Sequence, residues 1–392
     1  MDLKGFFKHP EIQLAAHWRE EDYFESFFDS KLSTFVDLLE QLQDTPVSDL
    51  LTSRRTDILE VCERLKKSLH FSLAGKSWAA YRCFRDTLDY LQNELCDLRY
   101  QYVSDTTRNT AYRVRQTRHT IHHRHEMFHV PFHLRHLVAT QRYSVPGLPC
   151  LYLAGSLYTC WAEMGRPPLH ELQCAAFWLR EEASLNLLNF SQRPGMWANE
   201  LDTPSQDEKF WKNIASYIVL WPLLFACSIT VKHPDGAFKP EYILPQLLLQ
   251  WITEEGKFDG VIYFSTHVKD ISKAATFATS NIVVPTKEMS NNGHCRTLCD
   301  IFRITNPVSW DLLTSINAGD SMPMESLPYF SVEFVRGVEE CYAKTQFGLN
   351  QIKLGRLAMD LKRRYHDGDH NAGHVNDSGK VAKNVIDEDG KF

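Results

Sequence analysis

The residue spacing that most directly suggests chemistry is HEMFH at positions 125–129, an H-E-x-x-H arrangement. On a helix this spacing places two imidazoles on one face to bind zinc, with the glutamate beside the bound water. Pro131 biases Val130 out of the α region, so such a helix would have to end at its second ligand, His129. Seven histidines between His119 and His136 also make an H-x-x-x-H pair expected by chance. We therefore predict a polar loop and keep zinc-dependent hydrolysis as the minor alternative.

The other side chains that bind metals are poorly spaced for it. The ten cysteines form no C-x-x-C pair, and the Cys295-x-x-x-Cys299 pair lacks a second pair to complete a site. His366, His370 and His374 stand four apart, but glycines between them disfavour the helix that would align them. Scattered cysteines in a chain of 392 residues are typical of reduced thiols in the cytoplasm. We expect a cytoplasmic protein without a metal site.

Overall charge and the first residues exclude some classes of protein. A formal net charge of -6 argues against nucleic-acid binding by bulk electrostatics, because phosphate contacts require clustered Lys and Arg. The opening MDLKGFFKHPEIQ lacks the apolar segment and cleavage site of a secretion signal. Eighteen uncharged residues from Ile214 to Val231 imitate a membrane span, but Pro222 interrupts them. We predict no membrane partner, a buried helix ending near Trp221 and a buried strand after it.

The elements that must position any site change in character along the chain. Residues 1–104 carry apolar residues at helical spacing and are predicted to form an α-helical region. Residues 105–290 mix short strands and helices, which indicates a mixed α/β core. The predicted elements are strands at Leu148–Ala154, Leu185–Phe190, 261–265 and Asn281–Pro285, and helices after Gly155-Ser156 and over Pro240–Gly256.

The C-terminal part is predicted to be partly helical. Residues 291–364 form an extension with helices near Val332–Tyr342 and Ile352–Leu361. Residues 365–392 are polar and rich in Gly, Asn and Asp, so we predict a disordered tail.

Three segments of the α/β region form a pattern when taken in order. They are AYRVR at 111–115, QRYSVPGLPCLYLAGSLYTCWAEM at 141–164 and FDGVIYFS at 258–265. The pattern resembles the RES domain family, whose signature is an early Tyr-Arg, an Arg-aromatic-small-x-x-Gly-x-Pro turn, a LYLA strand, a helix bearing Glu, and a distant strand supplying Ser. The resemblance covers about residues 108–290, and the flanking helical regions resemble those of the longer members.

The resemblance implies a fold related to ADP-ribosyltransferases and NAD as the substrate. Such proteins are NAD-consuming toxins or defence effectors, restrained in many cases by an antitoxin or inhibitory partner. By position, the catalytic candidates are Glu163, Arg113 and Ser265. The candidates for binding NAD are Arg142, Tyr152, Tyr143, Ser144 and Arg115. The expected reaction is hydrolysis or phosphorolysis of the nicotinamide–ribose bond, with transfer of ADP-ribose to a macromolecule as the alternative.

The residue types agree with this chemistry. Breaking the nicotinamide–ribose bond gives an oxocarbenium-like transition state, which a carboxylate such as Glu163 stabilises. Arginines are suited to a pyrophosphate, and a tyrosine ring can stack on a cationic nicotinamide. Each residue also has an ordinary explanation as a surface, core or capping residue, so a non-catalytic interaction module remains an alternative. The N-terminal helices are hypothesised to sense a trigger, hold an inhibitor or build a homo-oligomer.

Overall fold

Helices and strands extend over most of the chain. The computed structural model describes residues 1–18, 23–42, 46–103, 109–203, 206–268, 276–316, 330–335 and 338–375. The helices are α1 (Leu3–Lys8), α2 (Phe24–Glu40), α3 (Ser48–Leu73), α4 (Ser77–Tyr90), α5 (Gln92–Asp97), α6 (Leu157–Glu163), α7 (Pro194–Glu200), α8 (Glu208–Ser228), α9 (Ile243–Glu255), α10 (Arg296–Ile301), α11 (Trp310–Ser315) and α12 (Gln346–His366). The strands are β1 (Arg99–Val103), β2 (Ala111–Gln116), β3 (Cys150–Ala154), β4 (Leu172–Leu179), β5 (Ser184–Phe190), β6 (Gly260–Phe264), β7 (Ser280–Pro285), β8 (Phe302–Ile304), β9 (Val308–Ser309), β10 (Ser331–Val335) and β11 (Val338–Cys341).

One large sheet organises the chain. Its strand order is β1-β5-β6-β7-β3-β2-β4-β8, with β9 beside β4. All neighbours are antiparallel except β5 and β6, which run parallel. At the centre, β2 and β3 are paired at a single position, Tyr112 opposite Ala154. The expected mixed α/β class is confirmed, and the sheet divides at this weak junction into two halves.

Three apolar clusters cover the sheet. The first joins the N-terminal helices, α8 and α9 to one face of β5, β6 and β7. The second packs α6, α11 and α12 against β2 and β4. The third fills the opposite face beneath the loop around residues 121–132 and α10. Because the first two clusters meet near β3 and β7, a side chain projecting there lies between two groups of helices.

The apolar segment at Ile214–Val231 differs from its prediction. Helix α8 continues through Pro222 to Ser228, so the predicted end near Trp221 and the strand after it are wrong. Of the described helices, α8 is long and apolar enough by composition to cross a membrane, yet 78% of its apolar window is buried within the protein. Burial by the N-terminal helices and α9 stabilises the helix despite its proline.

The C-terminal extension also differs in part from its predicted structure. Val332–Tyr342, predicted to be helical, contains the antiparallel pair β10 and β11, whereas the helix predicted at Ile352–Leu361 lies within α12. Residues 365–375 are not a disordered tail. Helix α12 continues to His366, and His374 forms an isolated antiparallel β-bridge with Arg303. The rest of the predicted tail lies outside the described residues.

The sheet also crosses the predicted boundaries of the central region. Strand β1 pairs with β5 from before residue 105, and β8 and β9 extend the sheet from after residue 290. The flanking regions therefore complete the core rather than sit apart from it.

Candidate active site

Glu163 is positioned by a short turn and helix that follow β3. Ser156 caps α6, since its hydroxyl accepts the Thr159 N–H and donates to the carbonyl of Ala278 at 2.7 Å. Ala278 lies just before β7, so this capping bond ties the start of α6 to the neighbouring strand. Glu163 is the last residue of α6, and it is exposed. Its carboxylate thus stands at the rim of the sheet, where the two groups of helices meet.

Two donors from distant strands converge on one oxygen of this carboxylate. Ser265, directly after β6, donates its hydroxyl to Glu163 Oε1 at 2.5 Å. Asn281 of β7 donates from Nδ2 to the same oxygen at 2.8 Å. We call Glu163, Ser265 and Asn281 the carboxylate cluster. The structure thus brings together two predicted site residues, 102 positions apart in sequence.

Four tyrosines lie beside the carboxylate cluster and are called the tyrosine group: Tyr143, Tyr152, Tyr242 and Tyr263. Tyr263 is the register partner of Asn281, and its ring centroid lies 4.7 Å from that of Tyr143. Burial raises the pKa of Tyr263 well above its usual range, and the negative charge of Glu163 raises it further. Tyr152 bonds to the hydroxyl of Ser144 at 3.0 Å. The group therefore presents neutral phenol rings near the carboxylate.

Arg142 is present near the tyrosine group but is held by main chain. Its Nη1 donates to the carbonyls of Cys227 and Ile229, at 3.2 and 2.9 Å, where α8 ends. Its guanidinium lies 5.3 Å from the ring centroid of Tyr242, and the residue is only 9% exposed. These contacts stabilise a cation at a helix C-terminus and fix the loop that carries Tyr143 and Ser144.

Arg113 and Arg115 do not join the carboxylate cluster by direct contact. Tyr112 and Val114 pack toward α6, so Arg113 projects from the opposite side of β2. Burial lowers the pKa of Arg113 to about 10, helped by the positive charge of Arg115, and among the described residues its buried Nη1 has no hydrogen-bond partner. Arg115 donates instead to the carbonyl of Glu126 at 2.9 Å.

Cys160 shows how Arg113 and Glu163 are related in space. Burial raises the pKa of its thiol to about 12, while Arg113 opposes this rise and Glu163 adds to it. The thiol also lies 3.3 Å from the carbonyl of Tyr112, next to the junction of β2 and β3. Arg113 and Glu163 therefore both lie near Cys160, and they form no hydrogen bond or ion pair with each other.

The H-E-x-x-H segment forms no α-helix. Residues Arg124–Met127 make a 3-10 turn in which the Glu126 carboxylate accepts the His123 N–H at 3.0 Å. Both ring nitrogens of His129 are occupied, because Nδ1 bonds to the Val130 carbonyl at 2.8 Å and Nε2 accepts the Cys295 N–H at 2.9 Å. No group of three metal-binding side chains comes together within the described part of the chain.

The buried His129 predicts loss of stability in acid. Burial lowers its pKa from 6.5 to about 4, although its bond to the Val130 carbonyl opposes the shift. Since the folded-state pKa is depressed, this contribution to the free energy of unfolding is complete above pH 6.5 and is lost as the pH falls toward 4. His129→Gln keeps an acceptor for Cys295 but cannot titrate, so we expect a shallower decline. Urea unfolding across this pH range measures it, and identical declines in both proteins would contradict the prediction.

Four side chains of the site escape sequence reasoning: Asn281, Arg193, Tyr242 and Tyr263. Asn281 and Tyr263 belong to the two strands beside Glu163, and Arg193 donates to the carbonyls of Ser265 and Val268, both at 2.9 Å. Asn281 carried one usable signal, because asparagine is disfavoured within buried strands unless it has a partner. Arg193, Tyr242 and Tyr263 carried no such signal.

Comparison with known proteins gives one informative relative. The chain is 29% identical over 350 residues to a Bacillus subtilis (strain 168) protein named "Putative toxin YopC", and the match covers 87% of this chain and 78% of that protein. No family model and no solved structure matches the chain.

Proposed function

We propose that this protein is a toxin that consumes NAD by breaking the bond between nicotinamide and ribose. The proposal rests on one observation. Ser265 and Asn281 both donate to Oε1 of Glu163 and so orient its carboxylate beside the tyrosine group. The relative named as a toxin supports the toxin-like role in this proposal. The choice of NAD as the substrate rests on the resemblance to the RES family.

The carboxylate suits the charge that develops in this reaction. As the bond breaks, its electron pair moves to the nicotinamide nitrogen, which becomes neutral, and positive charge develops on the ribose. Glu163 stabilises that charge most strongly in the transition state, which accelerates the step. Water then bonds to the ribose carbon and loses a proton, giving ADP-ribose, nicotinamide and one proton. Inorganic phosphate can replace water and give a phosphorylated ADP-ribose.

The surrounding residues fit the two ends of the dinucleotide. Tyr152 and Tyr263 are partly buried rings near Glu163, and such rings attract a cationic nicotinamide while it remains charged. Arg113 lies next to the junction of β2 and β3, and among the described residues its buried Nη1 has no hydrogen-bond partner, so we assign this donor to a phosphate oxygen. In this scheme Arg142 positions the tyrosine group and does not bind the pyrophosphate, because its Nη1 already donates to main-chain carbonyls.

A second candidate function is transfer of ADP-ribose to a macromolecule. The observation that favours it is the exposure of Glu163, which leaves the reacting carbon open to a side chain of another protein. NAD labelled in its adenylate portion separates the two, since transfer leaves label on a macromolecule and hydrolysis leaves it in ADP-ribose. Within either scheme a toxin requires restraint in its host, so an inhibitory partner protein belongs to the proposal.

The test is release of nicotinamide by the purified protein. Incubation with NAD, followed by chromatography, is expected to show nicotinamide and ADP-ribose in equal amounts, or phosphorylated ADP-ribose when phosphate is present. Separation in urea and refolding first removes any inhibitor carried through purification. No nicotinamide from the refolded protein, with or without cellular extract as a source of acceptors, would overturn the proposal.

A further inference from the structure

We infer that Asn281 is a positioning residue that sets which oxygen of Glu163 faces the substrate. The inference deepens the proposed function and rests on it for its meaning in catalysis. Asn281 does not touch the substrate in this assignment. It acts through the carboxylate, together with Ser265.

The hydrogen-bond directions around Glu163 are fixed by the groups behind them. The His267 N–H donates to the Ser265 hydroxyl oxygen at 3.1 Å, so the hydroxyl proton is directed toward Glu163. Asn281 reaches the same oxygen, Oε1, with its Nδ2. No donor among the described residues bonds to Oε2. One oxygen is therefore held by protein, and the other remains available to a ribose hydroxyl or to the charge that develops on the ribose.

The strand makes Asn281 a rigid donor. Asn281 is 4% exposed and lies in the interior of β7, with Tyr263 of β6 on one side and Ala154 of β3 on the other. Backbone pairing on both sides limits its movement, whereas the Glu163 side chain is exposed at the end of α6 and has several rotamers open to it. The buried strand thus restrains the exposed side chain, which is the arrangement expected for preorganisation.

A purely structural role for Asn281 makes a different prediction. A buried amide needs hydrogen-bond partners, and Glu163 could serve only to satisfy it. In that case removing the amide would change the stability of the protein but not the behaviour of the carboxylate. The positioning role and the structural role can be distinguished by measuring the ionisation of Glu163 and the rate of the chemical step separately from the stability of the protein.

The kinetic test uses Asn281→Leu, which keeps approximate volume and removes the donor, and Asn281→Asp, which places a second carboxylate beside Glu163. We expect Asn281→Leu to lower kcat for nicotinamide release about ten- to hundredfold, with KM changed less than about threefold. For Asn281→Asp we expect the acidic limb of the pH profile to move upward by about one unit or more, because two adjacent carboxylates compete for one proton. Unchanged kcat and an unchanged pH profile would overturn the inference.

The second test needs no activity. Carbon-13 NMR of the glutamate carboxyls, with the Glu163 signal identified by its loss in Glu163→Gln, follows the titration of this group directly. We expect this signal to respond differently to pH in Asn281→Leu and in the wild-type protein, because a donor to the charged form has been removed. The matched control Asn186→Leu, a partly buried asparagine in β5, should leave the titration unchanged.

The two failures are distinguishable. If the wild-type protein releases no nicotinamide but the Glu163 titration shifts in Asn281→Leu, the proposed function fails and the positioning role stands. If nicotinamide is released but neither the titration nor kcat responds to Asn281→Leu, the positioning role fails alone. Urea unfolding of each variant identifies any that do not fold, and Ser265→Ala then tests the same carboxylate oxygen through the other donor.

Discussion

Glu163→Gln is expected to lower kcat for nicotinamide release about a thousandfold while the protein stays folded. The amide oxygen of glutamine can still accept from Ser265 and Asn281, so the substitution removes the charge and keeps the geometry of the cluster. A neutral group cannot offset the positive charge that develops on the ribose, and this loss falls on the transition state. KM for NAD should therefore change far less than kcat. Rapid-quench measurement of nicotinamide under single-turnover conditions gives the rate of the chemical step.

The matched control is Glu182→Gln, another exposed glutamate, which lies far from the cluster and beside Arg180. It makes the same chemical change and should retain the wild-type rate. Full activity in Glu163→Gln would remove Glu163 from catalysis and with it the reason for assigning NAD cleavage to the carboxylate cluster. A thousandfold loss accompanied by a wild-type unfolding transition would tie the activity to the charge alone.

The sequence predicted the elements whose apolar pattern and end signals agree. The helix over Pro240–Gly256 has proline near its start and ends at Gly256, which adopts φ 67° and accounts for the stop. The strands β3, β5, β6 and β7 are short apolar runs bounded by turn residues, and all four are confirmed. Local chemistry decides these elements, so a single sequence contains enough information.

Elements decided by tertiary packing were not predictable in this way. Pro222 is a strong local signal to end a helix, but α8 is buried along most of its length and packing overrides the signal. Residues near Val332 have apolar spacing that fits a helix or a strand, and pairing between β10 and β11 decides in favour of strand. The first outcome depends on residues far away in the chain. The second depends on a partner only a few residues further along, which apolar spacing alone does not reveal.

The candidate site also contains features that the sequence predicted and features that depend on tertiary contacts. The family resemblance placed Glu163 and Ser265 in one site, and the structure puts them in a hydrogen bond, although their catalytic roles remain predictions. The anchoring of Arg142 could not be read from sequence, because its partners are main-chain carbonyls 85 and 87 residues away. A guanidinium gives the same sequence signal whether it binds a phosphate or a helix end.

The largest effect on stability is expected at the turn that leads to Glu163. A Cβ on Gly155 would lie 1.8 Å from the carbonyl oxygen of Phe277 and 3.0 Å from the Cα of Ala278, both of them main-chain atoms. The Gly155 N–H also donates to the Ser280 carbonyl at 2.9 Å, so the turn cannot move away without losing that bond. We expect Gly155→Ala to lower the free energy of unfolding by about 3 kcal/mol or more. Urea unfolding followed by tryptophan fluorescence measures it.

Gly355→Ala makes the same change where nothing lies within 4 Å of the added Cβ, inside α12. There alanine is the better helix former, so the free energy of unfolding should rise by about 0.5–1 kcal/mol. Opposite signs for the two variants would show that close backbone approach, rather than the loss of glycine, destabilises Gly155→Ala. If Gly155→Ala instead unfolds like the wild-type protein, β3 and β7 are not held as closely as this geometry requires. The connection between the sheet and Glu163 would then be too loose to orient a carboxylate.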